Sequence, residues 1–316
     1  MPKKVVLVNV NYPHYKIEEK VLAPLDAEVC HVVTNNTKET IEATRMADAV
    51  MVRETPIDKE VVEAFQQCKI VARYGVGFDN VDTEAAKKRR IYVTNVTDYG
   101  NGTVADHAIA LMYAVARRIP QRVEDVRRGV WDIGAKEPIF SMDGKTLGVV
   151  GCGKIGQTFI KKCSCLGFAK ILGYDPYIKQ IDGVKMTDLD TLLAESDMIS
   201  LHMPLTPETL HIINKKSFGI MKPGAILINS ARGKLINQDD LVEALKQNKI
   251  FGAGIDVFEQ EPPAKDNPLF SLRNAIVTDH TSWYSVESLE KLQYKAAMEV
   301  ARVLGGCEPE SWVNRW

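Results

Sequence analysis

Cysteine is scarce in this chain and is not arranged as a metal site or a disulfide framework. Six cysteines, at positions 30, 68, 152, 163, 165 and 307, are spread over 316 residues. No pair has the CxxC spacing of a zinc site, and we expect no bound metal. A chain of this length can build a core without disulfides, so we expect reduced thiols. The class of small disulfide-rich secreted domains is therefore excluded.

A surplus of charge of either sign is missing as well. The chain has 40 Lys and Arg residues against 41 Asp and Glu residues, which gives a formal net charge of −1. Proteins that bind nucleic acid or anionic membranes usually carry a basic surplus, so we expect neither partner. No stretch approaches the roughly 18 apolar residues of a membrane span, and the N-terminal segment lacks the cleavage site of a signal peptide. We therefore expect a cytoplasmic protein.

The chain does contain a regular alternation of short apolar runs with helical stretches. The first series of predicted strands covers residues 5–10, 27–33, 48–53, 69–74 and 91–96. The second series covers residues 146–151, 170–175, 198–203, 225–230, 250–256 and 274–279. Such alternation indicates parallel sheets with helices on both faces. Two series predict an α/β protein with two doubly wound parallel-sheet domains.

The stretch between the two series defines the predicted domain boundary. Residues 102–119 have the apolar spacing of a long helix, which we expect to end near Pro120. Residues 286–304 are also helical in pattern and follow the last strand of the second series. The predicted domains are a discontinuous one, residues 1–101 with 285–316, and a continuous one, residues 102–284.

A glycine motif follows the first strand of the second series. Gly151, Gly153 and Gly156 form the pattern GxGxxG between a predicted strand and a predicted helix. In this context the first glycine permits a tight turn, the second lets the backbone approach a pyrophosphate, and the third lets helix and strand pack closely. The helix N-terminus adds N–H groups that favour an anion. The motif predicts a Rossmann dinucleotide-binding domain.

An acidic residue ends the next predicted strand. Asp175 lies 175 − 156 = 19 residues after Gly156, close to the spacing of about 20 for the acid that binds the adenosine ribose. A carboxylate there accepts hydrogen bonds from ribose hydroxyls and repels a 2′-phosphate, so we expect NAD as the cofactor. The alternative is that Asp175 only begins the turn that continues with Pro176.

Polar residues stand at the ends of later strands, where ligands bind in such sheets. Reduction of a 2-oxo acid needs a cation for the carboxylate and a proton donor beside the ketone. Arg232 presents a fork of N–H groups that suits a carboxylate. His280 titrates near neutrality in its ordinary state, which suits a proton donor. Glu259 or Glu261 is placed to orient His280.

These candidates have structural alternatives. Arg232 is alternatively a surface ion-pair partner, and His280 a histidine whose hydrogen bonds are satisfied within a turn. Asp256 ends an apolar strand and is a candidate acceptor for the nicotinamide carboxamide, whereas His202 lines the cofactor site or packs within its strand. The other histidines, at positions 14, 31, 107 and 211, carry no comparable signal.

Several segments in order make the chain similar to the D-isomer-specific 2-hydroxyacid dehydrogenases over essentially its whole length. The matching segments are ARYGVGFDNVD (72–82), VADHAIALMYAVAR (104–117), GVVGCGKIGQ (148–157), HMPLTPET (202–209), NSARGKLI (229–236), GAGIDVFEQEPP (252–263) and DHTSWYS (279–285). The resemblance implies an NAD-binding Rossmann domain at 102–284 and a flavodoxin-like substrate domain formed by the rest of the chain. It also implies a homodimer, for which the helix at 102–119 would supply an apolar face.

The resemblance carries the site onto particular residues of this chain. The implied catalytic residues are Arg232, Glu261 and His280. The implied substrate-binding residues are Arg73, Val76, Gly77, Arg232, His280 and Trp283, with Val76 and Gly77 offering backbone N–H groups. The cofactor-binding residues that follow from the motifs and the resemblance together are Thr103, Gly151, Gly153, Lys154, Ile155, Gly156, Asp175, His202, Met203, Pro204, Thr209, Ser230, Ala231, Arg232, Asp256, His280 and Trp283.

The late motif departs from the commoner His-x-Gly-Gly form of the family. His280 is followed by Thr281, Ser282 and Trp283, which resembles the C-terminal-binding-protein branch. Trp283 either walls the substrate pocket or packs at the junction between the domains. Because the sequence ends at Trp316, we do not expect the regulatory domain that many phosphoglycerate dehydrogenases add.

These features predict an NAD-dependent D-2-hydroxyacid dehydrogenase. It would transfer hydride reversibly between NADH and a small 2-oxo acid, with His280 as the proton donor. The alternative is an NAD(H)-sensing, corepressor-like interaction protein with weak dehydrogenase activity. An NADP-dependent reductase of hydroxypyruvate or glyoxylate is disfavoured by Asp175.

Overall fold

The computed structural model describes residues 2–132 and 137–316, which divide into two compact units. Unit 1 combines the chain up to Gly100 with residues 285–316, and unit 2 spans residues 101–284. The domain boundaries predicted from the sequence lie after residue 101 and after residue 284.

The strands and helices alternate along most of the described chain. The strands are β1 (Lys3–Val8), β2 (Ala27–Val32), β3 (Ala49–Val52), β4 (Ile70–Arg73), β5 (Tyr92–Thr94), β6 (Thr146–Val150), β7 (Lys170–Tyr174), β8 (Lys185–Met186), β9 (Met198–Leu201), β10 (Ile226–Asn229), β11 (Gly252–Ile255) and β12 (Ala275–Val277). The α-helices are α1 (Lys16–Leu22), α2 (Thr37–Thr44), α3 (Lys59–Ala64), α4 (Thr83–Lys88), α5 (Asn101–Ala116), α6 (Ile119–Arg127), α7 (Lys154–Cys163), α8 (Leu189–Glu195), α9 (Lys215–Ile220), α10 (Gln238–Lys246) and α11 (Val286–Leu304).

Unit 1 is built on a five-stranded parallel sheet. The strand order is β2-β1-β3-β4-β5, which is the flavodoxin-like order. Strands β3 and β4 are buried along their whole length, because helices cover both faces of the sheet. Helix α11 returns to this unit from the end of the chain and packs against α1 and β4. The C-terminal helix therefore completes the core of unit 1.

Unit 2 is built on a seven-stranded parallel sheet. The strand order is β12-β11-β10-β9-β6-β7-β8, and its first six strands in chain order follow the Rossmann order 3-2-1-4-5-6. The order reverses between β6 and β9, and dinucleotides bind at such a reversal, outside the carboxyl ends of the strands. Both sheets confirm the predicted fold class of two doubly wound parallel-sheet domains.

The single long helix predicted over 102–119 is confirmed as far as Ala116 and is wrong only in its last three residues. Helix α5 ends at Ala116, and a second helix, α6, begins at Ile119 after Arg118 adopts a left-handed conformation with φ 50°. Pro120 lies in the first turn of α6, where its missing N–H has no helical acceptor to lose. The proline therefore begins a helix instead of ending one.

The apolar pattern of α5 is explained by packing inside unit 2. Six of its seven buried residues lie in the core that β6, α7 and β10 also line. The apolar face that suggested a homodimer is thus used within one chain. In the part of the chain that the structure describes, no helix has both the length and the apolar character needed to cross a membrane.

Candidate functional site

The glycine motif connects β6 to α7 at the strand-order reversal of unit 2. Gly151 has φ +90°, and a Cβ atom there would lie 2.6 Å from the backbone N of Met203. A Cβ atom on Gly156 would lie 2.1 Å from the carbonyl oxygen of Gly151. Both positions therefore require glycine for steric reasons, as the motif predicts.

Gly153 differs from the other two glycines because the space beside it is open. A Cβ atom on Gly153 would meet no heavy atom within 4 Å, so packing within the chain does not explain this glycine. Gly153 is the N-cap of α7, and because it has no side chain it does not cap the N–H groups of the first helical turn. Lys154 and Ile155 follow it as the first residues of the helix. This open helix N-terminus fits the pyrophosphate of a dinucleotide.

Asp175 follows β7 and reaches back to the glycine loop. Its Oδ2 accepts the backbone N–H of Cys152 at 2.8 Å, and its Oδ1 accepts those of Tyr177 and Ile178 at 2.9 and 3.0 Å. Burial raises the pKa of Asp175, but these three N–H groups outweigh burial and hold its pKa below the usual value. The carboxylate thus stays ionised, and it both begins a turn and braces the glycine loop.

The segment after β9 supports the glycine loop mainly through packing. The His202 ring lies 4.7 Å from that of Phe159 in α7, and its Nε2 is 2.9 Å from the Ser200 hydroxyl. Burial lowers the pKa of His202 to about 3, so the ring is neutral at working pH. Met203 is buried, whereas Pro204 is exposed and its carbonyl accepts the Thr209 hydroxyl at 2.8 Å.

A histidine and a carboxylate meet at the carboxyl edge of the same sheet. The Nδ1 atom of His280 lies 2.6 Å from Oε2 of Glu261, while Oε1 of Glu261 accepts the backbone N–H of Phe258. Burial raises the pKa of Glu261, but the hydrogen bond and charge of His280 lead the effects that hold it below its usual value. An ionised carboxylate can only accept, so Nδ1 of His280 carries a proton.

The other candidate partner of His280, Glu259, is committed elsewhere. Its Oε1 accepts the backbone N–H of Gln238 at 3.0 Å and lies 2.9 Å from Nε2 of His211. The geometry therefore pairs His280 with Glu261.

Arg232 stands in the loop that follows β10. Its Nη1 donates to the carbonyl of Ala231 at 2.7 Å, and its charge helps to lower the pKa of Glu261. A Cβ atom on the neighbouring Gly233 would lie 1.9 Å from the carbonyl carbon of Phe258, so this loop packs against the segment that carries Glu261. The hydroxyl of Ser230 is buried and has no hydrogen-bond partner among the described residues, which suits a polar ligand at this edge.

Asp256 holds the loop that carries His280. Its carbonyl accepts the N–H of His280, and its Oδ1 and Oδ2 accept those of Thr281 and Ser282, each at 2.9–3.0 Å. His280 has φ 56°, a left-handed conformation that costs an L-residue about 1 kcal/mol. Burial raises the pKa of Asp256, but hydrogen bonds led by that of Thr278 hold its pKa below the usual value. The three acceptor atoms of one buried residue thus stabilise a strained turn.

The remaining candidates divide between the two units. Thr103 is in the first turn of α5, and the Trp283 ring lies 5.5 Å from that of Tyr284; both belong to unit 2. In unit 1, Asn95 donates to the carbonyl of Val76 at 2.6 Å, and Gly77 is half-buried.

Arg73 of unit 1 is buried and already paired. Its Nη2 donates to Glu54 at 2.8 Å and its Nη1 to the carbonyl of Tyr74 at 2.7 Å. A Cβ atom on Gly75, which has φ +125°, would lie 1.9 Å from Nη1 of Arg73. The guanidinium therefore folds over the turn that precedes Val76 and Gly77.

Sequence reasoning missed two residues of the unit 2 network, Thr278 and His107. The Thr278 hydroxyl donates to Oδ1 of Asp256 at 2.6 Å, and Nε2 of His107 lies 3.0 Å from that hydroxyl. The available signal was the spacing of Thr103 and His107, four residues apart and so on one face of α5.

Comparison with known proteins gives consistent matches. The model of the family described as D-isomer specific 2-hydroxyacid dehydrogenase, NAD binding domain, matches residues 109–282. A D-3-phosphoglycerate dehydrogenase of Methanocaldococcus jannaschii is 42% identical over 290 residues, which cover 90% of this chain and 55% of that protein. The chain thus spans about half the length of this relative.

Two further proteins are similar over nearly their whole length. A glyoxylate reductase of Thermococcus litoralis is 41% identical over 286 residues, covering 87% of this chain and 86% of that protein. The crystal structure of D-lactate dehydrogenase from Aquifex aeolicus, complexed with NAD and lactic acid, has a TM-score of 0.86 and 29% identity, and 96% of each chain is covered.

Proposed function

Because the chain belongs to the D-isomer specific 2-hydroxyacid dehydrogenase family, we propose that it reversibly reduces a small 2-oxo acid to the D-2-hydroxy acid. The oxidoreductase class and the NAD cofactor follow from the family. The observation that carries the proposed chemistry is the contact of 2.6 Å between His280 and Glu261 at the carboxyl edge of the dinucleotide-binding sheet.

We assign the proton to His280 and the binding of the carboxylate to Arg232. Bound NADH supplies a hydride to the carbonyl carbon. The proton on Nδ1 of His280 stays hydrogen-bonded to Glu261, which leaves Nε2 to protonate the substrate oxygen. The negative charge of Glu261 stabilises the protonated imidazole before transfer. Arg232 carries a permanent charge that suits the substrate carboxylate.

The glycine loop and Asp175 support NAD rather than NADP in this proposal. The open space at Gly153 leaves room for a pyrophosphate. The ionised carboxylate of Asp175 repels a 2′-phosphate, and its oxygens can accept further hydrogen bonds beyond those from the backbone. Thr103, His202, Met203, Pro204, Thr209, Ser230, Ala231, Asp256 and Trp283 remain proposed cofactor neighbours.

The substrate assignment extends to unit 1, which we propose as the substrate-binding domain. The proposed groups are the backbone N–H groups of Val76 and Gly77, with Arg73 holding the turn. Relatives named as glyoxylate reductase or phosphoglycerate dehydrogenase support a small 2-oxo acid. The C-terminal-binding-protein-like branch stays a proposal based on residues 279–285, in which Trp283 would favour an apolar side chain. We also retain the homodimer and the cytoplasmic location as proposals.

The test is steady-state turnover with a panel of glyoxylate, pyruvate, hydroxypyruvate and phosphohydroxypyruvate, each with NADH and with NADPH. We expect His280→Gln to lower kcat about 100-fold or more, since a positioned acid contributes roughly 10²–10⁴-fold. NADH binding, measured by fluorescence titration, should change little. His31→Gln, at an exposed histidine of unit 1, is the matched control and should behave as the wild type.

Two outcomes contradict the proposal. Unchanged turnover in His280→Gln would remove His280 as the proton donor. A wild-type protein that binds NADH but reduces no acid of the panel would instead favour the corepressor-like alternative.

A further inference from the structure

A histidine outside the proposed catalytic pair belongs to the hydrogen-bond network behind it. Nε2 of His107, on α5, lies 3.0 Å from Oγ1 of Thr278 and 3.4 Å from Oδ1 of Asp256. The His107 side chain is 24% exposed and the Asp256 side chain is fully buried. Helix α5 therefore contributes a polar group to a carboxylate that water does not reach.

The direction of each hydrogen bond in this chain follows from the chemistry of its members. Asp256 is ionised and can only accept, so the single hydroxyl proton of Thr278 is donated to it over 2.6 Å. The oxygen of Thr278 is then left as an acceptor toward His107. Nε2 of His107 must therefore carry a proton, and the chain runs from His107 to Thr278 to Asp256.

The far end of this chain is the turn that aims His280. Asp256 accepts the N–H groups of three consecutive residues, His280, Thr281 and Ser282. His280 itself is in the left-handed conformation, which persists only where surrounding contacts over-determine it. The carboxylate of Asp256 binds the N–H groups of Thr281 and Ser282, directly after His280, so a fixed carboxylate stabilises the turn from which the His280 ring projects.

We infer that His107 is a positioning residue for His280, acting through the Thr278 hydroxyl and the Asp256 carboxylate. The inference rests on the proposed role of His280 as the proton donor. His107 does not touch the His280–Glu261 pair; it supplies an N–H group that keeps the Thr278 proton directed at Asp256. Without that donor the Thr278 oxygen loses its partner and the buried carboxylate is held less rigidly, so the turn at 280–282 samples other orientations.

The first test separates hydrogen bonding from packing. His107→Leu has a similar volume and no donor, whereas His107→Gln places an amide N–H group near the position of Nε2. We expect His107→Leu to lower kcat about tenfold, with the KM for the 2-oxo acid changed less than threefold. His107→Gln should restore most of the loss. Thr278→Val and Thr278→Ser form a second pair: we expect Thr278→Val to lower kcat in the same way and Thr278→Ser to retain most of it. This pair tests the inference if His107→Leu fails to fold.

His31→Leu, at the exposed histidine that stacks on Tyr15 in unit 1, is the control and should keep wild-type kinetics. Wild-type kcat in both His107→Leu and Thr278→Val would overturn the inference. It would also be overturned if His107→Gln were as slow as His107→Leu while both melt like the wild type.

A spectroscopic readout makes the inference independent of turnover. In ¹⁵N-labelled full-length protein without cofactor, we expect the His107 ring to show a protonated Nε2. In Thr278→Val, which lacks the acceptor for this N–H group, we expect a mixture of the two neutral ring forms. A neutral ring with the proton on Nδ1 would overturn the inference. If the wild type reduces no 2-oxo acid, the proposed function fails, but the NMR result still decides whether this hydrogen-bond chain exists.

Discussion

The carboxylate of Asp175 has both a structural role and a proposed functional role. Three backbone N–H groups donate to its oxygens. Asp175 therefore does stabilise the turn that continues with Pro176, as the structural alternative in the sequence analysis supposed. The same N–H groups keep the carboxylate ionised, which is the state that a ribose hydroxyl needs as an acceptor and that a 2′-phosphate avoids. At the scale of one residue, the structural and the proposed functional roles therefore reinforce each other.

The dual role of Asp175 predicts different results for two substitutions. Asp175→Asn can keep one oxygen for the N–H groups of Tyr177 and Ile178, but it loses the charge and turns an NH2 group toward the N–H of Cys152. We therefore expect the preference for NADH over NADPH in kcat/KM to fall at least tenfold, and the melting temperature to fall less than in Asp175→Ala. Asp175→Ala should lose the same preference and also melt at a lower temperature, because the three N–H groups lose their acceptor.

Asp188 offers a matched control in unit 2, since it accepts the N–H of Thr191 at the start of α8. Asp188→Ala should lower the melting temperature without changing cofactor preference. If Asp175→Asn reduced the use of NADH and NADPH equally, the ribose assignment would be wrong.

At the scale of elements, the turn from β6 into α7 shows that the three glycines of one motif are needed for different physical reasons. Gly151 and Gly156 are required because backbone atoms of the same unit occupy the space of a Cβ atom. Gly153 faces open space, and within the fold alone an alanine would fit there. The motif is thus partly a packing requirement and partly, on our proposal, a ligand requirement.

This contrast predicts that two alanine substitutions act on different properties. Gly153→Ala should leave the free energy of unfolding within about 1 kcal/mol of the wild type, because the changes at the N-cap and in the unfolded chain are small and opposed. It should nevertheless weaken NADH binding at least tenfold by blocking the pyrophosphate. Gly156→Ala should lose about 1–3 kcal/mol of stability, since the loop must move away from the added methyl.

Urea unfolding and isothermal calorimetry with NADH measure both quantities. Normal NADH affinity in Gly153→Ala would show that the pyrophosphate does not approach this glycine.

At the scale of the whole molecule, the near-zero net charge agrees with the way in which anionic groups are expected to be bound. A helix N-terminus and Arg232 act locally, so no general positive field is required.

The surface of unit 2 carries an exposed apolar stripe. Apolar residues are exposed along α6 and directly after it, at Ile119, Val123, Val126, Val130 and Trp131. Exposed apolar residues spaced by about one helical turn are typical of an interface.

The proposed homodimer gives this stripe an occupant. In a two-fold pairing of two α6 helices, the stripe of one copy would pack against the same stripe of the other, which buries the apolar side chains of both. Light scattering should then give twice the chain mass of 35.2 kDa. The double variant Val123→Glu with Val126→Glu should give the mass of one chain.

Val33→Glu, at an exposed valine of unit 1, is the matched control and should keep the wild-type mass. A single-chain mass for the wild type would exclude the dimer, and a double variant that still forms a dimer would exclude this surface.

Most of the fold could be predicted from local patterns. The predicted helix at 286–304 coincides with α11, and most predicted strands overlap observed ones, because runs of β-branched residues between helical stretches are a strong local signal. Local patterns place the strand ends less accurately: the predicted strand includes residues 202 and 203, yet β9 ends at Leu201. The prediction that Pro120 marks the end of a helix was wrong, because a proline is compatible both with a helix end and with a first helical turn.

The candidate site divides along a similar line. The amino-acid sequence by itself determined the two-series α/β architecture and the glycine motif, and it singled out Arg232, Asp175 and His280 as candidates, because these features depend on local order and spacing. The family resemblance already implied Glu261 rather than Glu259, and the tertiary structure shows its contact with His280. Only the tertiary structure decided that Asp256, Thr278 and His107 form the hydrogen-bond network next to this pair. The physical reason is that these side chains come from α5 and from separate strand ends, and the parallel sheet and its covering helix bring them within hydrogen-bond distance.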